Sequence, residues 1–148
     1  MISNAEKTIL MLDDDLTFCS LIEMEFERDG FELVCCHTGP DALKLVRKNS
    51  YLRFDMMLLD MMLPGTSGFT ILQELSGAQY QNIPIVVLTA RVMDRGTVDM
   101  ICSQPNVRGL MSKPVEVREL RKKMYAVMEY APALKTEPGM VYRPVRHA

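Results

Sequence analysis

The segment Phe54-Asp55-Met56-Met57-Leu58-Leu59-Asp60 ends an apolar run on a carboxylate and leads into Met61-Met62-Leu63-Pro64-Gly65. A buried strand that empties into an acid and then a Pro-Gly turn presents that acid at the strand's carboxyl edge. Asp is also a common turn former, so Asp60 alone reads as a plain turn residue. Comparable junctions recur, however. Thr8-Ile9-Leu10-Met11-Leu12 runs into Asp13-Asp14-Asp15, Ile85-Val86-Val87-Leu88 into Thr89-Ala90, and Gly109-Leu110-Met111 into Ser112-Lys113-Pro114. Singly these are a solvated acidic run, a helix cap and a surface lysine. Jointly they would gather carboxylates, a hydroxyl and an ammonium.

Two carboxylates about 4 Å apart repel by about 4 kcal/mol at an effective dielectric near 20. Asp13, Asp14 and Asp60, if they converge, require a cation or a proton at neutral pH. Oxygen-only ligands favour a hard ion, Mg²⁺ above all. Lys113 would screen the remaining charge, and the Thr89 hydroxyl could donate to an incoming oxyanion. Such a set suits phosphoryl transfer to an aspartate, where positioning and charge neutralisation carry the reaction.

Convergence depends on the elements between these junctions. The apolar runs, with Leu33-Val34-Cys35-Cys36 as the second, alternate with stretches of helical period. Phe18, Leu21, Ile22 and Phe26 mark a first helical stripe, with Glu23, Glu25 and Glu27 mostly opposite. Ala42, Leu43 and Val46 mark a second, and Phe69, Leu72 and Leu75 a third. A short fourth carries Val98, Ile101 and Cys102; the fifth carries Val117, Leu120, Met124, Val127 and Met128. This alternation predicts an α/β fold, a five-stranded parallel sheet with helices on both faces. Right-handed crossovers bring every strand's carboxyl end to one edge, where ligands bind in such folds.

The bulk properties agree with one domain. The chain has 148 residues, 48% of them hydrophobic and 24% charged, with a net charge of -2. That balance gives no electrostatic case for nucleic acid or a membrane surface. No apolar stretch approaches bilayer length, and the start from Met1 to Lys7 lacks a secretory pattern, so a cytoplasmic protein is expected. Cys19, Cys35, Cys36 and Cys102, with His37 and His147, have no zinc-type spacing and read as small buried thiols. Apolar periodicity stops at Pro132, so residues 1–131 are expected to form the domain and 132–148 a flexible tail or the start of a linker.

The ordered set Ile9-Leu10-Met11-Leu12-Asp13-Asp14-Asp15, Leu58-Leu59-Asp60 with Met61 to Gly68, Ile83 to Arg91, and Met111-Ser112-Lys113-Pro114 resembles the receiver domains of bacterial two-component response regulators. The likeness covers roughly residues 7–130. It implies the flavodoxin-like doubly wound (βα)5 fold of the chemotaxis regulator. It also implies Asp60 as phosphoacceptor, with Mg²⁺ bound by Asp14, Asp60 and the Met62 main-chain carbonyl, and by Asp13 through a water. Lys113 would pair with Asp60 and the phosphoryl group, Thr89 would follow that group on activation, and Lys113–Pro114 would be cis. The implied partners are a sensor histidine kinase or phosphotransfer protein and a downstream protein target. The resemblance also admits a phosphorylation-dependent dimer. No direct nucleic-acid binding and no membrane association are expected of this chain, and its only catalysis would be its own phosphorylation and dephosphorylation.

Three departures bear on mechanism. Leu110 stands where the family usually has an aromatic residue that swings inward. The stretch from Thr89 to Lys113 is slightly long and includes Ser103-Gln104-Pro105-Asn106, which predicts an irregular fourth helix or following loop. The positions that tune dephosphorylation carry Met62 and Arg91; neither suits the alignment of a water, and Met62 would shield the acyl phosphate, so a long-lived phosphorylated state is expected. Two competing readings remain. Asp13-Asp14-Asp15-Leu16-Thr17 also fits the D-x-D-x-T motif of haloacid-dehalogenase-like phosphatases, with Asp13 as nucleophile and Asp15 as general acid. The other is an interaction module independent of phosphorylation. The basic run Arg118, Arg121, Lys122 and Lys123 reads as a solvated helix face.

Overall fold

In the computed structural model the described residues are 7–48, 54–75 and 83–136. Ten elements alternate: β1 (Thr8–Leu12), α1 (Leu16–Arg28), β2 (Glu32–Cys36), α2 (Gly39–Lys48), β3 (Met56–Asp60), α3 (Gly68–Leu75), β4 (Ile85–Thr89), α4 (Arg95–Cys102), β5 (Val107–Ser112) and α5 (Val117–Thr136). The strands form one parallel sheet in the order β2-β1-β3-β4-β5. Strand order reverses between β1 and β3, which opens a crevice at their carboxyl ends.

β1, β3 and β4 are buried along their whole length, which accounts for their apolar character on both faces. Alternate residues feed two cores. Leu10, Leu12, Met57, Leu59, Ile85 and Val87 meet Ala42, Ile71, Leu72 and Ile101 from α2, α3 and α4. Ile9, Met11, Met56, Leu58, Val86 and Leu88 meet Ile22, Phe26, Leu120, Met124 and Val127 from α1 and α5. Fully burying a side chain such as Ile22 or Phe26 contributes roughly 1.5–3 kcal/mol, so the two layers hold the sheet edge firmly. Cys35 and Cys36 point to opposite cores, as strand pleating requires.

Several expectations need correction. Leu21 is 41% exposed, and Cys19 takes its place in the buried stripe with Ile22 and Phe26. Cys102 is exposed rather than buried, although all four cysteines are free. α4 is regular and starts on Asp94, whose side chain accepts from Thr97 N; the irregularity lies beyond it. Ile85 pairs with Val107 and Val86 with Gly109, so Arg108 is left as a bulge residue on β5. α5 continues to Thr136, making the first residues of the expected tail helical. The rest of that segment, with His147, and the start before Lys7 lie outside the described residues, as does the side chain of Val46.

Candidate functional site at the carboxyl edge of the sheet

Four of the candidate residues are carried by the ends of four different strands. Asp13 follows β1, Asp60 is the last residue of β3, Thr89 the last of β4, and Lys113 follows β5. Asp60 pairs in register with Leu88, and Thr89 pairs with Ser112. The Lys113 N–H donates to the Thr89 carbonyl at 2.8 Å, which ties the two edges together. The Lys113–Pro114 peptide is cis, as the resemblance implied.

The Lys113 ammonium bridges two carboxylates. Its Nζ donates to Asp13 Oδ2 at 2.5 Å and to Asp60 Oδ2 at 3.0 Å. The second oxygen of each acid is held by main chain: Asp13 Oδ1 accepts from Asp15 N at 2.9 Å, and Asp60 Oδ1 from Met62 N at 2.9 Å. The Asp13 carbonyl accepts from His37 Nδ1 at 2.9 Å and from Cys19 Sγ at 3.4 Å. Asp13 and Asp60 are buried, while Asp14 is exposed at the mouth.

The electrostatics follow from this packing. Burial pushes the Asp13 carboxyl above its usual range; Lys113 and the Asp15 N–H oppose that shift, and the Asp60 charge adds to it. Burial pulls the Lys113 ammonium down, but its hydrogen bonds to Asp13 and Asp60 and their charges outweigh it and leave the group raised. One cation for three acids leaves negative charge in excess. The ligand oxygens of Asp13, Asp14 and Asp60 all lie within 4.8 Å of one another, close enough to share an ion. Oxygen-only donors, two of them buried and one reaching solvent, fit a hard divalent cation.

The remaining expected residues fall beside this centre. Thr89 is buried, and its Oγ1 accepts from Arg91 N at 3.1 Å; Arg91 is exposed. Met62 is 45% exposed on the loop after β3. That loop is shaped by two glycines. Gly65 has φ +84°, and a Cβ on Gly68 would stand 2.7 Å from the Met61 backbone. Leu110 packs partly buried against the core beneath α2, α3 and α4. Asp15 caps α1, its Oδ1 accepting from Phe18 N at 3.1 Å, and is exposed. Its carboxylate is committed to the helix start, which leaves the D-x-D-x-T reading without a placed general acid.

Sequence reasoning missed three partners: His37 and Cys19 on the Asp13 carbonyl, and the Phe18 ring, whose centroid lies 4.8 Å from Lys113 Nζ. His37 could have been flagged, since it directly follows β2 at the same edge. Nothing in the spacing announces Phe18.

Residues 9–125 match the response regulator receiver domain family. The chain is 30% identical over 122 residues to the transcriptional regulatory protein AfsQ1 of Streptomyces coelicolor, covering 82% of this chain and 51% of AfsQ1. It is 29% identical over 112 residues to the response regulator SaeR of Staphylococcus epidermidis, covering 76% and 46%. The chain thus spans about half the length of these relatives. A CheY-like receiver domain protein from Methanospirillum hungatei superposes with a TM-score of 0.74 at 20% identity, covering 86% of this chain and 97% of that one. The receiver domain of Francisella response regulator 1452 does so at 0.72 and 22%, covering 84% and 98%. These two likenesses establish the flavodoxin-like fold alone. Among the described residues no helix is long and apolar enough to cross a membrane. With the family match spanning most of its length, the chain belongs to the response regulator receiver domains of two-component signalling systems.

Proposed function

We propose that this receiver acts as a phosphorylation switch in which Asp60 accepts a phosphoryl group from a sensor histidine kinase or phosphotransfer protein. The observation that carries this reading is the Lys113 ammonium held between Asp60 and Asp13 where three carboxylates converge. In the transfer an Asp60 oxygen forms a bond to phosphorus while the donor's P–N bond breaks, and the donor imidazole leaves with a proton. Lys113 moves from the Asp60 carboxylate to a phosphoryl oxygen, and the Thr89 hydroxyl donates to another. Asp14, Asp60 and the Met62 carbonyl would hold Mg²⁺ directly, and Asp13 through a water. When bound, the ion neutralises the charge of the acids and of the phosphoryl oxygens. Asp13 has both carboxylate oxygens engaged by Lys113 and Asp15, which suits the indirect role.

Met62 and Arg91 flank the pocket without aligning a water, so a long-lived phosphorylated state is expected. The chain would work in the cytoplasm and pass its state to a partner protein, with a phosphorylation-dependent dimer as one form of output. AfsQ1 carries the name of a transcriptional regulator; for this chain the output remains a docking event in this proposal. Incubation with Mg²⁺ and acetyl phosphate should add about 80 Da, and Asp60→Asn should remove the adduct. A parent protein that gains no mass under forcing conditions would be an interaction module. Phosphate release from a generic monoester that is lost in Asp13→Asn but kept in Asp60→Asn would restore the phosphatase reading.

A further inference from the structure

The Lys113 ammonium has two carboxylates on two of its sides, and the Phe18 ring stands over it at 4.8 Å. Phe18 is placed by the pocket itself. The Asp13 carboxylate accepts from Asp15 N, the Asp15 carboxylate accepts from Phe18 N, the Phe18 ring faces Lys113, and Lys113 donates back to Asp13. These four links close a ring around the start of α1. Phe18 and Leu110 serve opposite cores, Phe18 that of α1 and α5 and Leu110 that of α2, α3 and α4.

We propose that Phe18 is a positioning residue for Lys113 and the aromatic side chain that responds when Asp60 is modified. The inference rests on the reading of Asp60 given above. A cation over an aromatic face is attracted by the ring quadrupole, and the attraction grows as water is excluded. The ring therefore holds the ammonium over Asp13 and Asp60 without a third hydrogen-bond acceptor. A phosphoryl oxygen arriving on Asp60 draws Lys113 away from this arrangement, and Phe18 loses the charge that fixed it. The state of the site is then read at the first turn of α1, on the opposite face of the sheet from Leu110.

Phe18→Tyr keeps a ring and Phe18→Leu removes it at similar bulk. Because the ring contact is made before ligand arrives and lost after it, calorimetric titration of the whole chain with beryllofluoride in Mg²⁺ should show binding tightened about threefold to tenfold in Phe18→Leu. Phe18→Tyr should match the parent. The side-chain ammonium nitrogen resonance of Lys113 should shift in Phe18→Leu and stay in place in Phe18→Tyr. Unchanged affinity and an unchanged resonance in Phe18→Leu overturn this inference and leave the role of Asp60 standing. A parent chain that does not bind beryllofluoride overturns both. If Phe18→Leu folds poorly, Phe18→Trp places the sole tryptophan in a chain that has none. Its emission should change on beryllofluoride addition, and constant emission defeats the proposal.

Discussion

Helices α1 and α4 both begin just past a strand of the functional edge, and both begin on an aspartate. Asp15 accepts the N–H of Phe18 at 3.1 Å; Asp94 accepts that of Thr97 at 2.7 Å and its hydroxyl at 3.1 Å. The local chemistry is the same N-cap, yet the settings differ. Asp15 belongs to the closed ring through Asp13, Phe18 and Lys113. Asp94 is bound to its own first turn, and Val92 just before it is fully exposed. A cap can therefore serve a helix alone, or it can tie the helix to the charges beside it. The first turn of α1 is tied to the pocket, whereas the Asp94 cap is tied to its own helix.

The sharpest way to break this contrast is to remove the cation. Lys113→Ala leaves Asp13 buried beside Asp60 with no counter-charge, and urea unfolding at neutral pH should show a loss of about 3 kcal/mol, the lower end for a broken buried pair. Amide exchange should rise at the start of α1 and not at α4; equal rises in both would erase the distinction. Asp13→Asn should act in the opposite sense and more weakly. Its folded-state carboxyl lies above 3.8, so the native state holds the extra proton between 3.8 and that raised value. The parent therefore loses stability as pH rises through this window, and Asp13→Asn does not. Denaturant midpoints measured from pH 4 to 7 should show the variant pulling ahead as pH rises; a gap that narrows refutes this. The smallest effect compares the caps directly. Asp15→Ala and Asp94→Ala should each cost about 1 kcal/mol in thermal or denaturant unfolding. Only Asp15→Ala should also alter beryllofluoride binding in Mg²⁺, and a similar change in both would show that the settings are equivalent.

Much of this was legible because buried strands and edge residues leave marks in a linear pattern. β1, β3 and β4 are covered on both faces, so their apolar runs stand out, and the candidate site residues end or immediately follow β1, β3, β4 and β5. β5 was faint and began at Val107, two residues earlier than its apolar run suggested. The space over Gly109 is filled by the Lys123 side chain, whose Cε would stand 2.3 Å from an added Cβ. A lysine stem covers that stretch without adding an apolar residue to the strand. Leu21 misled for the reverse reason: a leucine near the stripe turned outward, and the smaller Cys19 filled the core. The ring through Phe18 was illegible because it joins residues far apart in the chain through a cap whose geometry exists only once α1 has formed.

The bulge at Arg108 has a consequence for how the protein keeps to itself. β5 ends the sheet, and a terminal strand offers outward carbonyls as a template for a foreign strand. Arg108 turns its guanidinium back onto the start of that edge, Nη1 donating to Pro105 O just before β5 at 2.5 Å and to Val107 O, the first residue of β5, at 3.4 Å. An acceptor at the start of the edge is already engaged, and the bulge skews those beyond. The residue that interrupts the register thus makes this edge a poorer template for a foreign strand.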